Sequence, residues 1–194
     1  MTAIPIKKYT LEEYFELDRN AEGSFEYFNG EVFEMSGVSV NHATIEINLA
    51  EILNPIARKN GCRAFPANLR IRVPTIPPYR YPDLSVVCGG ADFEKIGGLQ
   101  CLVNPLLIVE VLSDSTEKFD RGEKFRQYKL IETFREYLLI EQNAKNITLF
   151  QKHSDRFWLQ SDYIGGESLH ITTLDFDLSV DEVYQGVDFT TITE

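Results

Sequence analysis

Glu110 interrupts Pro105-Leu-Leu-Ile-Val-Glu-Val-Leu112, an apolar run that reads as a strand buried on both faces. Removing a lone carboxylate from water costs several kcal/mol. A glutamate so placed needs a metal, a cation or a proton as its partner. Strand alternation puts it on the face of Leu106, Ile108 and Leu112. The alternative is a structural ion pair, or a strand end nearer to solvent than the pattern indicates.

Further positions have types and spacings that suit the same chemistry. Asp83 opens the largely apolar stretch Leu84-Ser-Val-Val-Cys88, directly after Pro82. Proline removes a ladder donor, so Asp83 belongs at a strand end or bulge; turn capping is its other natural role. Two carboxylates on adjacent strands can share a divalent cation, and oxygen donors with no nearby His or Cys favour Mg²⁺ or Mn²⁺. After Glu110, the residues Asp120, Lys124 and Tyr128 recur every four positions and share a helix face. A lysine there can orient a water or stabilise developing charge; an ordinary Asp120–Lys124 surface pair has the same spacing. Glu26 is a candidate extra metal ligand, or an exposed hairpin charge. Arg70, Arg72 and Arg80 suit bidentate contact with DNA phosphates, and equally suit a solvent-facing strand. Together the residue types point to metal-assisted hydrolysis of a phosphodiester.

The elements that must position these groups follow from pattern. Thr10-Leu-Glu-Glu13 is a capping box opening a short helix to about residue 18. Asn29-Gly30 joins two short strands as a hairpin. Ser39 caps a helix reaching toward Asn60-Gly61, with a kink or break expected at Pro55. Strands are expected at about 62–66, 69–73, 81–88 and 106–112. A glycine-containing loop joins the last two. A helix over about 117–131 follows, then strands at about 136–141, 147–152 and 157–163, and a short helix capped by Ser179. The strand–helix–strand passage from 106 to 141 has the form of a right-handed crossover between parallel neighbours. The architecture is α/β or α+β around a mixed sheet, in a single domain spanning 1–194.

Composition narrows the classes. No run approaches the roughly 20 apolar residues that span a membrane, and the first residues lack the apolar core of a secretory signal. The three cysteines show no CxxC spacing, which argues for a reducing cytoplasm and against a disulfide or zinc site. The three histidines are far apart, so no HExxH motif exists; His42 reads as a helix-cap contact, the alternative being a group that supports the metal ligands from behind. A net charge of −11 serves solubility and offers nucleic acid no general attraction.

Pro82-Asp83 followed by Glu110 in Ile-Val-Glu-Val-Leu-Ser113 resembles the PD-(D/E)xK nuclease superfamily. A longer pattern resembles the bacterial Uma-two family of restriction-endonuclease-like proteins. It comprises Tyr27, Asn29-Gly30, Met35, His42, Tyr81-Pro-Asp83, Glu110 through Glu117, Asp120-Arg121, Lys124, Tyr128 and Glu136-Tyr137, and covers about Thr10 to Phe157. The resemblance implies a restriction-endonuclease core, with Asp83 and Glu110 as metal-binding acids and DNA as the partner. The superfamily's lysine, two residues after the glutamate, is Leu112 here, and Lys124 is the candidate replacement. A cytoplasmic Mg²⁺-dependent endonuclease is the leading expectation. The competing ones are a binding module of the same fold that does not cleave, and a structural protein in which Glu110 is ion-paired. Cutting both strands of a duplex usually takes two sites, so a homodimer is also expected.

Overall fold

The computed structural model describes residues 8–20, 25–28, 30–34 and 37–190. Asn29 and Met35 of the pattern above lie outside them. In chain order the elements are α1 (Leu11–Asn20), β1 (Phe25–Phe28), β2 (Glu31–Glu34), α2 (Val40–Lys59), β3 (Cys62–Pro66), β4 (Arg70–Arg72), β5 (Tyr79–Arg80), β6 (Leu84–Cys88), β7 (Phe93–Ile96), β8 (Leu99–Leu102), β9 (Leu107–Leu112), α3 (Glu117–Phe119), a π-helical turn (Asp120–Lys124), α4 (Phe125–Tyr128), β10 (Glu136–Glu141), β11 (Asn146–Ser154), β12 (Phe157–Ile164), β13 (Ser168–Ile171), β14 (Phe176–Ser179) and α5 (Val180–Val183).

Local chemistry accounts for the boundaries. The Thr10 hydroxyl accepts from the Glu13 amide at 3.2 Å while the Glu13 carboxylate accepts from the Thr10 amide at 2.8 Å, a closed capping box. Ser39 Oγ accepts from the His42 amide at 3.1 Å and starts α2. That helix continues through Pro55, so the expected break does not occur. Its apolar stripe of Ile45, Leu49, Leu53 and Ala57 is fully buried, and this packing outweighs the lost backbone bond.

A six-stranded mixed sheet in the order β12-β11-β10-β9-β6-β3 forms the centre. β9 and β10 are parallel, as the crossover pattern requires, and the other neighbours are antiparallel. One face, carrying Val86, Leu107, Val109, Leu138 and Ile140, packs on α2 and the β13–β14 hairpin. On the opposite face Ile108, Leu112, Tyr137 and Leu139 pack with Phe125, Tyr128 and Phe134 from the crossover. A smaller four-stranded sheet, β5-β4-β8-β7, brings Ile71 and Val73 to the same side.

Three features depart from expectation. Residues 93–102 form a hairpin turning on Gly97-Gly98, both at positive φ, rather than a loop. Three of the four β7 residues are exposed, so no apolar alternation announces that strand. The expected continuous helix after β9 is divided by the π turn and ends at Tyr128. Cys62 and Cys88 form a disulfide, with Cα atoms 4.0 Å apart. They are 26 residues apart in the chain yet face each other in register on β3 and β6. Counting and spacing say nothing about such a cross-strand pair, and the cysteine argument for a reducing compartment loses its basis.

Candidate active site

β9 places Glu110 in the middle of the sheet, 2% exposed, on the face of Ile108 and Leu112. β6 pairs Leu84 with Val109, so Asp83 enters the sheet one step beyond, beside Glu110. Asp83 Oδ2 accepts from the Val111 amide at 2.6 Å and closes the ladder where β6 begins. Its Oδ1 faces His42, with Nε2 at 3.7 Å. Asp83 therefore caps with one oxygen and presents the other.

Lys124 reaches this point from the π turn. A widened turn re-aims side chains relative to the helix on either side, and here Asp120 and Lys124 are both buried. The Lys124 ammonium lies 3.0 Å from the Glu110 carboxylate, 3.4 Å from Glu26, 3.4 Å from Asp120 and 2.9 Å from the Tyr81 carbonyl. Leu112, at the superfamily's lysine position, is packed in the apolar core. The Tyr128 hydroxyl donates to Glu110 Oε1 at 2.9 Å. Glu26 Oε1 accepts from the Tyr81 amide at 3.0 Å, tying hairpin β1–β2 to the site.

The charges do not balance. Glu26, Glu110 and Asp120 surround one ammonium, and Asp83 lies beside Glu110. Burial pushes the Glu110 carboxyl well above its usual range, and the charges of Asp120, Asp83 and Glu26 add to this against the opposing pull of Lys124. Asp120 is raised for the same primary reason. Burial would lower Lys124, but Glu110, Glu26 and Asp120 outweigh it and hold the ammonium protonated. One cation is thus firmly held while the acids around it remain short of positive charge. A divalent cation would relieve that shortage, and carboxylate oxygens are the donors Mg²⁺ and Mn²⁺ prefer. Glu110 Oε2 has Lys124 as its hydrogen-bond partner and keeps lone-pair capacity for such an ion.

The group opens on a cleft of about 1220 Å³ whose lining includes Glu26, Asp83, Glu110, Lys124, His42 and Glu46. A model of the family described as "Putative restriction endonuclease", Uma2, matches residues 11–181. The chain belongs to the Uma2 family. An uncharacterized Synechocystis protein, slr1290, is 32% identical over 185 residues, covering 95% of this chain and 96% of its own length. A second, sll1609, is 32% identical over 165 residues, covering 85% and 93% respectively. Among solved structures, "a putative nuclease belonging to DUF820" from Anabaena variabilis superposes with a TM-score of 0.71, covering 93% of this chain and 98% of that one. At 17% identity this likeness shows the mixed α/β fold.

The arginines of this Uma2 chain separate into different roles. Arg70 is buried, bonded to Asp18 and the Tyr81 hydroxyl, with its guanidinium 4.4 Å from the Tyr79 ring centre. Arg80 is 1% exposed and donates to the Tyr79 carbonyl at 3.0 Å. Neither is presented to a DNA phosphate, which corrects the reading of Arg70 and Arg80 as contacts. Arg70 serves the aromatic layer that holds α1 against β5, whereas the Arg80 guanidinium lies 5.7 Å from the Phe119 ring centre on α3. Arg72 stays at the surface, 2.8 Å from Glu94.

Sequence reasoning also missed a cluster. Among the described residues, His42, Glu46 and Asp83 form a trio whose metal-ligating atoms all lie within 4.8 Å of one another. Glu26, Asp83 and Glu110 do not form such a trio. His42 and Glu46 are four residues apart on α2, a spacing visible in the chain, but only folding brings Asp83 to them. Burial would lower the His42 imidazole, yet Asp83 and Glu46 more than offset it and raise it to about 9. At 3.7 Å these contacts are ion pairs rather than hydrogen bonds.

Proposed function

We propose that this chain is a metal-dependent endonuclease that hydrolyses DNA phosphodiester bonds. The observation carrying the proposal is the convergence of Glu26, Asp83 and Glu110 with the Lys124 ammonium on one open cleft. Asp83 and Glu110, with Glu26 beside them, are the residues that would hold Mg²⁺ or Mn²⁺. A divalent ion there would supply Lewis acidity toward a phosphate oxygen and make a bound water acidic. The chain's own groups set the stage. Tyr128 fixes the Glu110 carboxylate through Oε1, and the Val111 amide fixes Asp83. Lys124, being protonated, is no base; its role is to stabilise negative charge that builds up on the phosphate. Lys118 at the cleft lining is a cation suited to the DNA backbone.

Hydrolysis of both strands of a duplex would be served by a twofold dimer. β12 is an edge strand carrying exposed Phe157, Leu159 and Ile164, a surface that suits such pairing.

One feature favours the non-cleaving alternative. The three protons of Lys124 already face four acceptors, so none is free for substrate until the site rearranges. Incubation with plasmid DNA and Mg²⁺ or Mn²⁺ decides between the two. Cleavage by wild type, lost in Asp83→Ala and Glu110→Ala, supports the enzyme. Identical products from all three proteins refute catalysis by this site.

A further inference from the structure

We propose that His42, Glu46 and Asp83 form a second divalent-metal site, mixed nitrogen and oxygen in character, which takes Mn²⁺ or another imidazole-binding transition ion in preference to Mg²⁺. His42 Nε2 lies 3.7 Å from both Glu46 Oε1 and Asp83 Oδ1. Ligands held about 2.1 Å from one ion stand roughly 3 to 4 Å apart, so the trio could close on a cation with small side-chain shifts.

The second observation is the histidine itself. His42 is 6% exposed, and neither of its ring nitrogens makes a hydrogen bond. Buried polar atoms almost always find a partner, and an exception calls for an explanation such as an ion. The ring also lines the cleft, as do both carboxylates. Two carboxylates ion-paired to a buried imidazole whose nitrogens make no hydrogen bond match a ligand set better than a packing contact, with the metal taking the place of the imidazole proton.

The site is also rigidly framed. His42 and Glu46 sit one turn apart at the start of α2, so they present their donors on the same side. Ser39 caps that turn and also donates to Gln142 at 2.6 Å, while Asn41 donates to the Asp188 carbonyl at 2.8 Å. Asp83 is held by the Val111 amide. Supported ligands lose little freedom when a metal binds. The nitrogen donor sets the selectivity, because Mg²⁺ prefers oxygen and water whereas imidazole suits later ions.

This inference shares Asp83 with the nuclease reading but does not depend on cleavage. The test is Mn²⁺ titration of the full chain followed by electron spin-echo spectroscopy, which detects ¹⁴N of a coordinated imidazole. Wild type and Glu110→Gln should both show ¹⁴N modulation, and His42→Asn should lose it. Glu46→Gln, at a partly exposed position that should fold normally, should weaken Mn²⁺ binding at least about tenfold. Absence of ¹⁴N modulation in wild type overturns the site, as does an unchanged Mn²⁺ affinity in Glu46→Gln. If ¹⁴N modulation is present while no DNA is cleaved, the nuclease reading fails and this one stands.

Discussion

Two glutamates are buried in the central strands, and each is 2% exposed. Glu136, at the start of β10, accepts from the Thr172 amide at 2.9 Å, the Thr173 amide at 2.7 Å and the Gln151 side chain at 2.9 Å. Its donors are neutral: Gln151 belongs to β11, while the two backbone amides come from the segment after β13 and tie the hairpin to the sheet. Glu110, on β9, is held by an ammonium and a phenol, with two other acids, Glu26 and Asp120, crowded around the same ammonium. Burial alone does not identify a functional carboxylate. What separates the two is whether fixed neutral donors already satisfy it or an excess of negative charge leaves it wanting a cation.

The largest effect on this comparison should come from Lys124→Ala. It strips the acids around Glu110 of their one ammonium, so stability should fall by about 3–5 kcal/mol in urea denaturation of metal-free protein. Added Mn²⁺ should recover part of that loss if the vacated charge suits a cation. Next comes Glu136→Ala, which orphans two backbone amides and a side-chain amide. A cost of about 2–3 kcal/mol is expected, with no recovery by Mn²⁺.

How far the sequence reveals these differences depends on the distance between partners. β3 and β10 lie at the bounds read from pattern, and the parallel pairing of β9 with β10 follows from the crossover. The inward face of Glu110 also follows from the strand period, whereas the return of Lys124 to it depends on the π turn. Partners far apart in the chain leave no such trace. Arg70 pairs with Asp18 across 52 residues, so its burial was invisible beside an alternating strand. The same holds for Cys62 with Cys88, and for Asp83 beside His42. A π turn is unreadable because its residues have ordinary helical types.

A smaller effect concerns pH. The Glu110 carboxyl is raised above its ordinary value of 4.5 by burial. The folded protein therefore holds this proton over a range where the unfolded chain has released it. The stabilisation is complete below about 4.5 and is lost as pH rises through the raised value. Glu110→Gln should remove that contribution. Its thermal stability in chelator should decline less than that of wild type between pH 5 and pH 8. Parallel declines would show that Glu110 is already satisfied as an anion, as its counterpart on β10 is by hydrogen bonds.

The most direct measurement is plasmid cleavage in Mn²⁺ by wild type, Glu110→Gln and Glu136→Gln, each confirmed as folded by circular dichroism. The account predicts that Glu110→Gln loses at least about 100-fold in rate, while Glu136→Gln cleaves at close to the wild-type rate. Equal cleavage by Glu110→Gln and wild type would contradict it.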